Sequence, residues 1–179
     1  VERRFPAFRV GDGLVGVFER RAGFLYVEDC VRAHIDAALA AGAEVHAEEP
    51  VTGWRPVGSG VVVTTPRATY HADRLAIAAG PWATGLLRDI GVPLTLMRQV
   101  PMWFRPERPE LFRRDRFPVY LADTPEGAFY GLPMVDPRGH KVARHFGGEE
   151  LPGPDAVDRG VHPADEEPLR GFLRRHLPT

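Results

Sequence analysis

The sequence predicts a mixed fold of helices and strands, and three stretches predict it. In EDCVRAHIDAALAAGAEV, residues 28–45, Val31, Ile35, Ala38 and Leu39 recur at helical spacing and leave a polar opposite face. RLAIAAGPWATGLLRDIG, residues 74–91, is a small apolar run that ends in glycine and passes into a second helical pattern. In GAFYGLPMVDPRGHKVARHFGG, residues 127–148, two alternating runs flank Asp136, Pro137, Arg138 and Gly139, four strong turn formers, as in a hairpin.

The chain opens irregularly, with proline and glycine. GDGLVG, residues 11–16, matches the spelling GxGxxG. That motif needs a buried strand before it and a helix after it, so that backbone N–H groups meet a phosphate. Here FPAFRV carries a proline and VFERRAGF breaks at Gly23, so the stretch predicts a surface turn. Asp29 is placed to cap the first helix, and Gly42 to end it in the left-handed conformation. Short strands are expected at residues 44–47 and 60–65. The continuous run 74–80 is expected to be a strand buried on both faces. Pro81 suits a first helical turn and Gly91 a last one.

From Val92 the texture is proline-punctuated. With a loop at 136–139, the hairpin register would set Val135 opposite His140, Met134 opposite Lys141 and Tyr130 opposite His145. Side chains alternate along a strand, so Lys141 and His145 would share a face, ~13 Å apart at ~3.3 Å per residue. PADEEPLRGFLRRH, residues 163–176, begins acidic and ends basic, the polarity a helix dipole favours.

At 179 residues, 44% hydrophobic and 26% charged, with a net charge of -1, the chain has the composition of a soluble globular protein. No bulk charge recruits nucleic acid or an anionic membrane. No apolar run approaches the ~20 residues of a membrane span, and no signal peptide opens the chain, so a cytoplasmic location is expected. The first residue is valine and the last follows a helix, so an internal segment of a longer protein is expected.

Cys30, the only cysteine, excludes an intrachain disulfide, and two adjacent acids disfavour its thiolate. No histidine spacing suggests a metal site, and no GxSxG elbow is present. Lys141 is the single lysine; every other long cation is arginine. An ammonium is a compact point charge and a guanidinium a planar fork, so a site needing a small positive charge would use lysine. Tyr130, Lys141 and His145 on one strand face fit both a solvated sheet surface and a catalytic wall, and the residues alone leave both open.

FYGLP followed by HKVARHFGG, at this separation, resembles the substrate-domain hairpin of the monomeric sarcosine oxidase and N-methyltryptophan oxidase family, in the D-amino-acid-oxidase superfamily of flavoproteins. RRFP, EDCVRA, RLAIAAGPWATGLL, RQVPMWF, FPVYLADTPEGAFYG and HPADEEPLRGFLRRHLP agree in the same order. The resemblance implies a partial Rossmann-like FAD-binding domain interleaved with a substrate domain on a mixed, largely antiparallel sheet. Residues 1–25 and 92–179 would be substrate domain, and 26–91 the second segment of the FAD-binding domain. Val51 would lie near the adenine, with Gly80, Pro81 and Trp82 at the turn approaching FAD. Glycine suits that turn because backbone can come close to a ligand.

The same resemblance implies that Lys141 stands near the reactive edge of the flavin and promotes oxygen reduction, with His145, Tyr130 and Leu121 lining the amine pocket. The implied reaction oxidises the C–N bond of a secondary or N-methyl amino acid, with oxygen as acceptor and hydrogen peroxide as product. The family's GxGxxG and covalent flavin-attachment cysteine would lie outside these 179 residues. The partners expected are therefore the amine, oxygen and the remaining segments of the same protein, and the 179 residues alone are not expected to retain FAD. A non-catalytic remnant without flavin, or a related FAD dehydrogenase or glycine oxidase, is the alternative.

Overall fold

The structure is a computed structural model that describes residues 1–178. Its main elements, in chain order, are α1 (Val27–Ala40), β1 (Gly53–Val57), β2 (Gly60–Thr64), β3 (Thr69–Ala72), α2 (Ala83–Leu86), β4 (Leu96–Arg98), β5 (Met102–Phe104), β6 (Tyr120–Thr124), β7 (Gly127–Leu132), β8 (His140–Arg144), β9 (Glu149–Leu151) and α3 (Pro163–His176). They divide between two compact units. Among the described residues, unit 1 comprises 1–24, 97–149 and 158–178; unit 2 comprises 25–96 and 150–157.

Unit 1 is built on an antiparallel sheet of order β5-β8-β7-β6. Alternation along β7 and β8 turns Phe129, Gly131, His140 and Val142 to one face, where all four are buried. The apolar stripe of α3 contributes Leu169 and Phe172, and the loops contribute Phe8, Phe112 and Phe117. Phe172 stacks on Phe129 at 4.5 Å between centroids, and Phe8 stacks on Phe117 at 5.0 Å. Each such ring contributes about 1.5–3 kcal/mol by leaving water. The acidic-to-basic polarity of α3 holds, and His162 and Asp165 close a capping box over its first turn.

Buried Arg98 braces that turn. Its guanidinium donates to both carboxylate oxygens of Asp165, at 2.7 and 3.1 Å, and to the carbonyls of Asp158 and Gly160, at 2.7 and 2.6 Å. Asp165 in turn keeps the guanidinium charged, and Arg98 holds the Asp165 carboxyl below the usual carboxylate range.

Unit 2 carries the meander β1-β2-β3, whose central strand buries Val61 and Val62. The helix expected after residue 28 forms as α1, and Gly42 follows it at φ 88°. Asp29 is not its cap: the helix begins at Val27 with Tyr26 in the capping position, and Asp29 lies in the first turn, where its charge suits the dipole. No residue of α1 is buried.

Two expected strands are absent among the described residues. Residues 44–47 form none, because Glu48 takes a left-handed φ of 53° and breaks the extended run. The His46 and Glu49 side chains there turn to Tyr70 and Thr65. Residues 74–79 belong to no ladder. A strand buried on both faces needs hydrogen-bonding neighbours at its edges, and no described strand pairs with this run. The helix expected from Pro81 is broken into 3₁₀ turns at Gly80–Trp82 and Arg88–Ile90 around α2, ending on left-handed Gly91.

Candidate functional site

The hairpin of β7 and β8 forms with a register two residues from the expected one. Leu132 pairs with Lys141 and Tyr130 with Ala143, so Met134 and Val135 leave the ladder. The reason is Pro133, which lacks an N–H to continue it. Met134 instead donates its N–H to the Phe112 carbonyl at 2.8 Å. The turn at 136–139 survives, with the Asp136 carboxylate accepting from the Arg138 N–H and Gly139 at φ 122°.

A shift of two preserves which face each side chain takes, whereas a shift of one would invert it. Leu121 on β6 pairs with Tyr130, which pairs with Ala143; Leu132 pairs with Lys141, which pairs with Trp103 on β5. Leu121, Tyr130, Lys141 and Trp103 therefore project from the face opposite the core. His145 follows β8, its N–H bonded to the Ala128 carbonyl, and its ring stands edge-on to Tyr130 at 6.0 Å. The contact expected between Tyr130 and His145 is thus present although the two are not ladder partners. A cleft of about 1090 Å³ takes its lining from both sides of the sheet, with Leu121, Tyr130 and Leu132 of this face and Phe8, Phe117 and Phe172 of the core side. Lys141 and His145 are not among its lining residues.

His140 lies behind this face. Burial pushes its ring down to about 4, so it is neutral at pH 7. Nδ1 is 2.6 Å from the Leu132 carbonyl, which can only accept, so Nδ1 carries the proton. Nε2 then accepts from the Tyr120 hydroxyl at 3.2 Å, and burial raises that phenol well above its ordinary value. The Nδ1–H bond ties the start of β8 to the end of β7, next to Lys141, and the Tyr120 hydroxyl adds the start of β6.

The other predicted site residues fall in unit 2. Val51 is exposed just before β1, and its segment is held by Thr52 N–H to the Thr64 carbonyl at 2.9 Å and by Thr65 Oγ1–H to Glu49 at 2.6 Å. The Thr65 and Tyr70 hydroxyls hold the Glu49 carboxyl below the usual carboxylate range. Gly80 takes a left-handed φ of 52°, with no atom beyond its immediate chain neighbours within 4 Å of where a Cβ would stand. Backbone at that turn is open to approach, and Pro81 and exposed Trp82 follow in the same turn. Trp54 Nε1–H donates to the Leu86 carbonyl at 2.8 Å, so β1, which follows Val51, is tied to α2, which follows Trp82.

Three structural partners escaped the sequence reading: Trp103, Trp54 and Arg98. Their partners lie 38, 32 and 67 residues away, and no local spacing carries such pairings. Among the described residues, no group of three or more His, Cys, Asp or Glu could hold a metal ion, and no helix is long and apolar enough to cross a membrane.

Comparison with known proteins places these observations. The family model described as FAD dependent oxidoreductase (DAO) matches residues 1–179. Monomeric sarcosine oxidase of Streptomyces avermitilis is 38% identical over 182 residues, covering 99% of this chain and 47% of the relative. N-methyl-L-tryptophan oxidase of Salmonella agona is 30% identical over 153 residues, covering 85% of this chain and 40% of the relative. The solved structure of NikD, described as an unusual amino acid oxidase essential for nikkomycin biosynthesis, superposes with a TM-score of 0.64 at 28% identity, over 99% of this chain and 47% of NikD. The chain spans about half the length of the curated relatives it matches. Matched by the family along all 179 residues, in a mixed antiparallel fold shared with a solved amino acid oxidase, this chain belongs to the FAD-dependent oxidoreductases of the DAO family.

Proposed function

We propose that the chain is part of an FAD-dependent oxidase that oxidises the C–N bond of a secondary or N-methyl amino acid, with oxygen as electron acceptor and hydrogen peroxide as product. The observation that carries this reading is the common face of Leu121, Tyr130 and Lys141, with His145 in ring contact with Tyr130. The names of the relatives, sarcosine and N-methyl-L-tryptophan oxidases, support the amine class.

Residues 26–91 serve as part of the FAD-binding domain, and 1–25 with 92–179 as substrate domain. Val51 meets the cofactor through its exposed side chain, and Gly80, Pro81 and Trp82 through a turn that is open at Gly80 and carries exposed Trp82. FAD, when bound, supplies the acceptor for the two electrons of C–N oxidation. Leu121 and the Tyr130 ring form an apolar wall for the amine's methyl group, and His145 borders it. The Lys141 ammonium supplies a fixed positive charge where negative charge develops on oxygen as it is reduced, which lowers that barrier more than it lowers the ground state.

The test is Lys141→Met in the full-length protein, with flavin reoxidation followed by stopped-flow absorbance. Reoxidation is expected to slow by about 10²-fold, the scale of losing one preorganised electrostatic donor. An unchanged rate would remove the role assigned to Lys141.

A further inference from the structure

The Lys141 side chain has a long, flexible stem, and its usefulness as a source of field depends on what fixes its end. A carboxylate in contact would fix it but cancel its charge; among the described residues none forms a direct ion pair with it, and Asp136, whose field reaches Lys141, is engaged by Arg138 instead. An aromatic face fixes an ammonium without neutralising it. Trp103 offers such a face. It is the β5 residue paired with Lys141 on β8, so both side chains rise from the same side of the sheet as neighbours. The ammonium nitrogen lies 5.3 Å from the Trp103 ring centroid, within the ~6 Å over which a ring attracts a cation. The Arg138 guanidinium lies 4.2 Å from the same ring and is anchored by the Asp136 carboxylate at 2.6 and 3.0 Å.

We infer that Trp103 is a positioning residue for Lys141: the indole face holds the ammonium in place and leaves its charge unpaired. Arg138, held on the same ring and charge-balanced by Asp136, keeps the indole in that orientation. The inference rests on the role proposed for Lys141, but its test requires neither cofactor nor turnover.

Lys141 is the only lysine of these 179 residues, and selective ¹³C-lysine labelling of the full-length protein identifies its side chain by the signal lost in Lys141→Arg. Its Hε protons are expected upfield of free lysine, shifted by the indole ring current. In Trp103→Leu they should move to the free-lysine position, and in Trp103→Phe they should keep part of the displacement. Acylation of this amine by a succinimidyl ester should accelerate about two- to fivefold in Trp103→Leu and less in Trp103→Phe, the scale of one exposed cation–π contact. Free-lysine shifts in the unsubstituted chain overturn the inference, even if Trp103→Leu fails to fold. Unaltered shifts in a folded Trp103→Leu do the same. In the full-length protein, Trp103→Leu should slow flavin reoxidation by a similar factor without changing KM for the amine. If the ring-current shift is present while Lys141→Met leaves reoxidation unchanged, the proposed function fails and the contact stands. If the shift is absent while Lys141→Met slows reoxidation, the function stands and the positioning role fails.

Discussion

Unit 1 closes its sheet, α3 and three loop phenylalanines on a continuous aromatic core, whereas α1 of unit 2 buries no side chain and leaves Val31, Ile35 and Leu39 from 39% to 51% exposed. Both helices have fourteen residues and an apolar stripe. The difference teaches that periodicity fixes the shape of a helix but not its share of the stability, which comes from the surface that covers the stripe. The candidate amine face is therefore braced from behind by packed rings. The candidate cofactor segments are held by individual hydrogen bonds, from Thr52, Thr65 and Trp54.

The largest expected effect would break this contrast if it failed. Phe172→Ala should destabilise unit 1 by about 3–5 kcal/mol, since Phe172 is 3% exposed and stacks on Phe129, while Ile35→Ala in α1 should cost less than about 1 kcal/mol. Urea unfolding followed by near-ultraviolet circular dichroism measures both, and comparable costs would dissolve the distinction.

A smaller effect, in pH, sharpens it. Unfolded His140 titrates near ~6.5 and folded His140 at about 4, so between these values the unfolded chain takes up a proton that the folded chain refuses. Its contribution to stability is present in full above ~6.5, falls as pH drops, and levels off below about 4, a loss of about 3 kcal/mol at ~1.36 kcal/mol per unit. Asp158 and Asp165, whose carboxyls are held below their ordinary values, lose their contributions at lower pH still. The urea midpoint of unit 1 should decline from pH 7 to 4.5, and His140→Gln should flatten that decline. A slope unchanged by the substitution would mean that the buried imidazole is not its source.

The smallest effect lies in unit 2. Trp54→Phe removes the donor to the Leu86 carbonyl, at a cost of about 1 kcal/mol. Amide exchange at residues 83–91 should speed about fivefold while the amides of β7 and β8 keep their rates. Protection that persists around α2 would show that this turn is held by something other than the indole hydrogen bond.

Much of the fold was legible because its signals are local. The α1 and α3 stripes, left-handed Gly42 and Gly91, and the turn at 136–139 each depend on residues a few positions apart. The site was legible in parity: alternation placed Tyr130 and Lys141 on one face, and a register error of two left that intact. The register itself was not, although Pro133 carried a usable warning that the ladder would stop there. The run 74–80 misled because its apolar character describes a strand with neighbours, and neighbours are not written in the run.

By itself, then, the sequence determined helices, turns, side-chain parity and the single ammonium at position 141, since each follows from contacts within a turn of chain or from residue identity. Tertiary structure decided the rest: that the Phe112 carbonyl takes the Met134 N–H and shortens the hairpin ladder, that Trp103 stands beside Lys141, and that Arg98 braces α3 from 67 residues away. Those outcomes are competitions between hydrogen-bonding and packing partners distant along the chain, and only folding in three dimensions brings the competitors within reach of one another.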